Sequence, residues 1–576
     1  MIFRPKIFII LIFLYPLSFS NILIDKITEK KYKDLMKSIY GENKEITGDY
    51  DKTLSITCNN GIFVGKKEDD VISFKGIPFA KPPIGELRWK EPVLAEDSDK
   101  VYEAYYFGKS PIQNEHKTQI GSYYPQSEDC LYLNVWMNSK DTSQEKAVLV
   151  FIHGGNFRGG ATSDPLYDGH NLISKYPDVI LVTIEYRLGI LGFIDFSIVS
   201  GGEDYKNSIN LGLLDQICAL KWIQKNIKNF GGDPNKVTIF GHSSGGASVL
   251  FLTLMDESKG LFKRLISQSG SLAISFSKED YELITQKLLK KTGAKNMKDL
   301  LSLSEKKIAE IYEDLIDYNN YPQRDGNFLP LDLYKDFQSG KGKDIDMILG
   351  CTQNETMYWS KTRGEILFNL ILPVLYENDL KKISKEDKQY ADEFMSLFND
   401  NNLKKLPEFY NEIVFRLPLN KVADYHSDKG GNTYVYLWKY RGEGESLGAY
   451  HGIEIPYVFN NFKNTIYSSC IVNDDIINKT QNMWINFART GNPSTKDLVW
   501  DKYDSSNKKI MSIDEEMEII EGYKDEQKEI LDPLLKYYFN GNFGRISYNV
   551  PYVYKLVGMF ALVLLAIFGM FYLLKH

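Results

Sequence analysis

Residues 236–255 read KVTIFGHSSGGASVLFLTLM, an apolar segment followed by a glycine-rich turn and a second apolar segment. The first segment is short and rich in β-branched residues, which favours a strand, whereas the second is long enough to be a helix. Between them, Gly241-His242-Ser243-Ser244-Gly245 matches the G-x-S-x-G pattern, in which a serine stands on a sharp strand-to-helix turn. Its glycines allow the strained backbone angles of such a turn. The stretch therefore predicts an α/β fold with the Ser243 hydroxyl accessible at the end of a strand.

Other strands are predicted on both sides of this stretch. They are continuous apolar runs, as in strands buried on both faces of a parallel sheet. These runs are AVLVFI (147–152), VILVTIEY (179–186), DIDMILG (344–350) and TYVYLW (433–438). Between the second run and the serine turn, apolar residues recur at helical spacing from Leu213 to Ile227. The alternation predicts a mostly parallel, twisted central sheet flanked by helices, with helical insertions at 275–318 and 360–415.

The composition excludes several classes of protein. With 43% hydrophobic and 25% charged residues, the chain is expected to fold around a core. The 69 basic and 76 acidic residues give a formal charge of −7, so nucleic acid is not an expected partner. Five cysteines without a C-x-x-C pair exclude a disulfide-dense scaffold and give no zinc or redox motif. No cofactor or metal is predicted.

Both ends of the chain indicate the secretory pathway. Residues 1–20 combine a basic start, a short apolar run and small residues at Ser18 and Ser20, as in a signal peptide. Residues 556–574 are uncharged and flanked by lysine and tyrosine, which predicts a transmembrane helix. A removable lipid-anchor signal beginning near Asn540 is the alternative. Either reading places the intervening domain in the lumen or outside the cell.

The predicted segments at the two ends also define the rest of the domain organisation. Residues 21–53 are a prefix rich in lysine and glutamate, with a composition that suits a helix. Residues 54–540 form the expected folded domain. Residues 541–555 are a juxtamembrane linker, and residues 575–576 are a short tail.

A serine attacks a carbonyl efficiently only when a base takes its proton. In enzymes with this turn, an acid and then a histidine follow the serine along the chain. Three histidines follow with room for an acid between: His426, His451 and His576. The last lies beyond the apolar C-terminal segment, and His426, in HSDKGGN, is predicted to lie in a surface loop. His451, beside a glycine in AYHGIEIPYVF, is therefore the predicted base.

The acid is expected just past a strand. The strand at 344–350 leads into Cys351-Thr352-Gln353-Asn354-Glu355, so Glu355 is the predicted acid that orients the imidazole. Asp325, in RDGNFLP, is the rival carboxylate, but its Asp-Gly sequence is typical of an ordinary turn.

Donors for an oxyanion are predicted after the strand at 147–152. His153-Gly154-Gly155-Asn156 is the H-G-G type of loop whose main-chain N–H groups stabilise a tetrahedral intermediate. The predicted donors are Gly155, Asn156 and Ser244. His153 precedes the serine and is predicted to support the loop.

Several stretches in this order resemble the type-B carboxylesterase/lipase family, which includes the cholinesterases. They are FKGIPFAKPPIGELRWKEP (74–92), SEDCLYLNVW (127–136), IHGGNF (152–157), NLGLLDQICALKWIQKNI (210–227), FGGDPNKVTIFGHSSGGASV (230–249), GLFKRLISQSG (260–270) and FARTGNP (487–493). The resemblance covers about residues 54–510. It implies a single α/β-hydrolase domain with a gorge that leads to the three candidate residues. It also implies a structural buried ion pair between Arg88 and Glu128.

The chain departs from the family pattern at informative places. His242 replaces the usual glutamate before the serine, and Asn156 replaces the third glycine of the oxyanion loop. Cys130 lacks the cysteine that normally pairs with it, so no particular disulfide is predicted. The loop before Cys130 has Tyr123 and Tyr124 but no tryptophan, so a choline ester is not the expected substrate.

Two functions fit these observations. The first is a membrane-anchored serine carboxylesterase that hydrolyses a small-molecule or lipid-like ester through an acyl-enzyme. The second is a catalytically weak or inactive adhesion or signalling ectodomain, since some family members have lost catalysis. A complete set of Ser243, Glu355 and His451 favours the first. In addition, Asn478-Lys-Thr is a glycosylation sequon, and helices near 360–400 and 520–538 are candidate homodimer surfaces.

Overall fold

A computed structural model of the protein describes residues 34–540, apart from residues 35, 114–124, 142–144, 316–319, 399–401, 443–445, 464 and 466–469. The strands are β1 Ser55–Cys58, β2 Asn60–Val64, β3 Lys66–Glu68, β4 Val71–Pro78, β5 Ser98–Glu103, β6 Ser110–Pro111, β7 Gln126–Ser127, β8 Tyr132–Asn138, β9 Lys146–Ile152, β10 Val179–Ile184, β11 Gly232–His242, β12 Arg264–Gln268, β13 Asp346–Thr352, β14 Thr433–Trp438, β15 Lys509–Ile513 and β16 Glu518–Glu521.

The α-helices alternate with these strands. They are α1 His170–Lys175, α2 Gly189–Gly192, α3 Leu211–Asn226, α4 Ser244–Leu254, α5 Lys278–Thr292, α6 Met297–Leu301, α7 Glu305–Asp314, α8 Leu333–Ser339, α9 Met357–Arg363, α10 Glu365–Leu380, α11 Lys388–Ser396, α12 Asn402–Tyr410, α13 Leu417–Asp428, α14 Ile455–Phe459, α15 Asp474–Thr490 and α16 Asp525–Leu531. A π-helical turn, Asn411–Arg416, joins α12 to α13.

The central sheet has the strand order β16-β15-β14-β13-β12-β11-β9-β10-β8-β4-β3. Neighbouring strands run parallel from β10 to β15 across its middle, while β8, β4, β3 and β16 pair antiparallel at its edges. The predicted strands all lie in this sheet. The prediction of a mostly parallel sheet flanked by helices is therefore confirmed.

Strand β9 shows why the sheet lies at the centre of the molecule. All seven of its residues are buried. Val148, Val150 and Ile152 pack with α3 and α4 in one apolar cluster, whereas Leu149 and Phe151 pack with α1, α14 and α15 in the cluster on the opposite face. An apolar run without polar alternation is thus explained, because both faces of the strand are covered.

The two predicted insertions are helical. Residues 275–318 contain α5 to α7, and residues 360–415 contain α10 to α12 and most of the π-helical turn. The prefix differs from its expected helix, because helix stops at Ile39 in the described part. Beyond it, the Ile46 amide donates to the Val101 carbonyl and Asn43 bridges two main-chain segments, so this segment packs along β5 in extended form.

The predicted signal peptide, linker, transmembrane helix and tail lie outside the described residues. Among the helices of the described region, none combines the length and apolar character needed to cross a bilayer.

Candidate active site

Four loops meet at the C-terminal end of the sheet, because β9, β11, β13 and β14 are parallel and their carboxyl ends point the same way. Ligands of open α/β sheets bind outside these carboxyl ends of the strands. The loops after these strands carry the predicted oxyanion donors, serine, acid and histidine in turn.

The serine turn has the geometry that its sequence predicts. Ser243 lies between β11 and α4 with φ 58° and ψ −121°, a conformation that costs free energy for a residue with a side chain. The turn is held because the Ser243 amide donates to the Gln268 carbonyl at 2.8 Å. A Cβ on Gly245 would lie 1.9 Å from the Ile152 oxygen, and one on Gly241 would lie 2.4 Å from Gly245. Only glycine therefore fits on either side.

The loop after β9 packs directly against this turn. A Cβ on Gly154 would lie 3.1 Å from the Ser243 Cβ, which places the loop beside the serine side chain. Gly155 has φ 116°, and a Cβ there would lie 2.0 Å from the Gly159 oxygen. Asn156 has φ 61°, a left-handed conformation that asparagine tolerates better than most residues. The asparagine in place of a third glycine is therefore compatible with this backbone.

A buried acid under this loop was not found from the sequence. Glu185, at the end of β10, accepts from the Thr162 amide at 2.7 Å, and its Oε2 lies 3.3 Å from His153 Nε2. The His153 ring stacks on Tyr186 with a centroid separation of 4.6 Å, and the Tyr186 hydroxyl donates to the His153 carbonyl. His153 thus lies under the loop as a supporting residue. The only sequence signal for Glu185 is an acidic residue within an apolar strand pattern.

Glu355 and His451 lie in direct contact. Glu355 is completely buried, and its Oε1 accepts from the Thr352 amide at 2.7 Å and the Ser269 hydroxyl at 2.6 Å. Its Oε2 accepts from His451 Nδ1 at 2.5 Å. Three donors suit a carboxylate, which only accepts. Because Nδ1 is occupied by this hydrogen bond, Nε2 is the ring nitrogen of His451 that is left to exchange a proton.

His451 lies among aromatic rings beside the serine turn. Its ring centroid is 4.4 Å from that of His242, the residue before the serine, and 5.1 Å from that of Phe415. Trp359 stacks at 5.8 Å with an interplanar angle of 24°. Phe415 comes from the π-helical turn and Trp359 from α9, so the region of the second insertion covers the histidine.

Two buried titratable groups near the site are held neutral. Burial, reinforced by the neighbouring His451, holds the pKa of His242 well below its usual range. Burial also raises the pKa of Glu454 to about 8, and the nearby charge of Glu355 acts in the same direction. His242 therefore adds no charge where the resemblance would place a glutamate.

The rival residues lie elsewhere. Asp325 accepts from the main chain of Asn327 and Leu329, as in a turn. The expectation that His426 lies in a surface loop is wrong, because α13 extends to Asp428 and turns the ring inward. There its Nδ1 contacts the Thr433 hydroxyl at 2.7 Å, and burial lowers its pKa to about 4.

The remaining predicted residues are structural or peripheral. Arg88 and Glu128 form a buried two-point ion pair, with Nε to Oε2 at 2.5 Å and Nη2 to Oε1 at 2.6 Å. Asn478 is exposed on α15. None of the five cysteines, all of which lie within the described residues, forms a disulfide, and the Cys218 thiol is buried. Within the described residues, no three or more His, Cys, Asp or Glu side chains are grouped to hold a metal ion.

Comparison with known proteins agrees with this architecture. A sequence profile of the carboxylesterase family matches residues 52–531. The para-nitrobenzyl esterase of Bacillus subtilis strain 168 is 33% identical over 503 residues, covering 83% of this chain and 98% of that protein. Human carboxylesterase 5A is 32% identical over 480 residues, covering 75% of this chain and 79% of that protein. A solved carboxylesterase structure from Geobacillus stearothermophilus superposes with a TM-score of 0.74 at 30% identity, covering 83% of this chain and 99% of that one.

The family profile spans most of the chain, and the similar structures share its sheet and its helical layers. The resemblance seen in the sequence motifs is thereby confirmed. The chain belongs to the carboxylesterase family and is a serine hydrolase that acts on carboxylic ester bonds.

Proposed function

We propose that the protein hydrolyses carboxylic esters through a Ser243–Glu355–His451 triad and an acyl-enzyme intermediate. The observation that carries this proposal is the 2.5 Å hydrogen bond from His451 Nδ1 to the buried Glu355, next to a serine in a strained strand-to-helix turn. The proximity of the His451 ring to His242 supports a reach from the histidine to Ser243.

The first half of the reaction acylates the enzyme. Ser243 Oγ attacks the ester carbonyl carbon while His451 Nε2 takes its proton, and the carbonyl electron pair moves onto oxygen. Main-chain N–H groups of Gly155, Asn156 and Ser244 donate to that oxyanion, and loss of one such donor typically costs about 10²–10³ in rate. The intermediate collapses, the carbon–oxygen bond to the alcohol breaks, and His451 returns the proton to the leaving oxygen.

Water then completes the cycle. His451 takes a proton from water as the water oxygen attacks the acyl-serine carbonyl, and the same amides hold the second oxyanion. Collapse releases the carboxylic acid and returns the proton to Ser243. Glu355 keeps the imidazole in the required tautomer and stabilises its charged form in both halves.

The proposed substrate is a small-molecule or lipid-like ester. We propose a neutral ester, because burial keeps His242 uncharged at the position where a glutamate would attract a cation. A quaternary ammonium ester is not the proposed substrate for this reason.

The decisive experiment measures hydrolysis of a short p-nitrophenyl acyl ester by the full-length protein in detergent, beside Ser243→Ala. We expect the alanine variant to lose at least about 10³-fold in kcat with an unchanged circular dichroism spectrum. Equal activity in both proteins would contradict the triad. A well-folded wild-type protein without activity would favour the adhesion or signalling ectodomain instead.

We further propose that residues 1–20 direct secretion and residues 556–574 anchor the domain, with the active site in the lumen or outside the cell. Truncation after Asn540 should then release an active domain into the medium, whereas an inactive secreted product would contradict the separation of anchor and domain.

A homodimer is also proposed. The exposed Leu370 and Val374 on α10 lie within the predicted 360–400 surface, and sedimentation of the truncated domain tests whether the domain dimerises.

A further inference from the structure

The π-helical turn Asn411–Arg416 lies against the loop that carries Glu355. All six of its residues are buried. π-Helical turns are rare and often occur at functional sites, because the extra residue changes the direction in which side chains point. Here the turn contacts the Glu355 loop on both sides of the acid.

On the C-terminal side of Glu355, the π-helical turn contacts Thr356. Asn411 Oδ1 accepts from the Thr356 amide at 2.9 Å and from its hydroxyl at 2.9 Å. Both residues are buried. Since Thr356 directly follows Glu355, this double contact fixes the main chain next to the acid.

On the amino side, the turn holds Gln353. Arg416 Nη2 donates to the Gln353 carbonyl at 2.9 Å. The guanidinium is itself paired with the completely buried Glu412, and Glu408 Oε1 lies 3.5 Å from its Nη1. A planar guanidinium with two carboxylates on one edge has little freedom to rotate. The direction of the bond to Gln353 is therefore fixed.

The same turn also contacts the histidine and the loop that follows β12. The Phe415 ring lies 5.1 Å from the His451 ring, and the Val414 carbonyl accepts from the Ser271 hydroxyl. One buried segment thus sets both partners of the Glu355–His451 hydrogen bond.

We propose that Arg416 and Asn411 are positioning residues of the reaction, which hold the Glu355 loop from both sides so that the acid meets His451. This inference rests on the proposed triad. Neither residue is assigned contact with the substrate. A displacement of about 1 Å in a catalytic group typically costs about 10²-fold in rate, so loss of either contact should lower kcat.

A purely structural pair would behave differently, and Arg88 offers a matched comparison. Arg88 is also buried, pairs with the buried Glu128 and donates to the Leu301 and Leu303 carbonyls. The same Arg-to-Lys replacement therefore disturbs a similar set of contacts, but one that lies away from the Glu355 loop.

The experiment compares Arg416→Lys with Arg88→Lys in the full-length protein, using the p-nitrophenyl ester at a temperature where each variant is fully folded. Arg416→Lys should lower kcat about 10- to 100-fold with KM nearly unchanged, and Arg88→Lys should lower the melting temperature but leave kcat as in the wild type. If Arg416→Lys lowers kcat no more than Arg88→Lys, the positioning role is wrong.

A second pair keeps the test decisive if Arg416→Lys does not fold. Thr356→Val removes the hydroxyl that contacts Asn411 and keeps the shape, while Thr356→Ser restores the hydroxyl. We expect the serine variant to exceed the valine variant at least tenfold in kcat, and equal values would overturn the proposal. Ser243→Ala in the same assay separates the two claims. Undiminished activity there refutes the triad, whereas its loss together with unaffected Arg416 and Thr356 variants refutes only the positioning role.

Discussion

Glu454 is a buried acid whose protonation should make stability depend on pH. It lies three residues after His451, is completely buried, and neither carboxyl oxygen has a hydrogen-bond partner among the described residues. Burial raises its pKa to about 8, and the charge of Glu355 adds to this effect; its own main chain and Gln268, whose geometry falls short of a hydrogen bond, offset the rise only in part. The folded protein therefore holds a proton there that the unfolded chain releases near pH 4.5.

The sign and size of the effect follow by linkage. Because the folded-state pKa lies above the unfolded one, the folded state binds more protons between pH 4.5 and pH 8, and stability falls as the pH rises through this window. The difference between about 8 and 4.5 spans about 3.5 pH units, each worth about 1.4 kcal/mol. The total is about 5 kcal/mol of unfolding free energy, present below pH 4.5 and lost by pH 8.

Glu454→Gln keeps the size of the side chain and removes the titration. Urea unfolding of both proteins, followed by tryptophan fluorescence at several pH values from 5 to 9, gives the difference in unfolding free energy. Taking this difference cancels the contributions of the other titrating groups. The unfolding free energy of the variant, relative to that of the wild type, should rise by several kcal/mol from pH 5 to pH 8.

Glu518→Gln is the control, because Glu518 is exposed on β16. Its difference from the wild type should stay constant with pH. A constant difference for Glu454→Gln as well would show that water reaches the carboxyl group and that its burial does not hold the proton.

Three further changes test other parts of the site. Glu355→Gln gives the imidazole an amide partner, and kcat for the p-nitrophenyl ester should fall about 10⁴-fold; a fall of less than tenfold would contradict its role. Gly245→Ala places a Cβ 1.9 Å from a main-chain oxygen of β9, so activity and melting temperature should both drop, whereas Gly48→Ala, in open space, should change neither. Asp215→Asn breaks the buried ion pair in which Arg187 Nη2 lies 2.7 Å from Asp215 Oδ1, and it should lower the free energy of unfolding in urea by about 3–5 kcal/mol; an unchanged midpoint would contradict that strength.

The sheet and its serine turn were predictable because their signals are local. The strand-to-helix turn at Ser243 needs glycines in fixed places, and those glycines stand in the sequence beside it. A strand buried on both faces is mostly apolar and lacks polar alternation, so β9 and β10 were recognisable as nearly continuous apolar runs. Such features depend on a residue and its near neighbours, which a single sequence contains.

Contacts between distant segments were not predictable in the same way. Arg416 donates to a carbonyl 63 positions away, and Glu185 lies beside His153 only because β9 and β10 are neighbours in the sheet. His426 was misplaced because HSDKGGN looks like a turn, yet the helix continues through its first residues and Gly431 packs against the ring. The pattern marks where the chain turns but not which way a side chain points before the turn.

The electrostatics of the site rest on two groups that carry no charge at neutral pH. His242 is neutral because burial lowers its pKa, and Glu454 stays protonated because burial raises its pKa to about 8. The carboxylate in contact with His451 is then that of Glu355, and its charge is directed at a single imidazole. When Ser243 attacks, its proton moves to His451, so the positive charge on the imidazole offsets the negative charge of the oxyanion and the net charge of this buried region does not change.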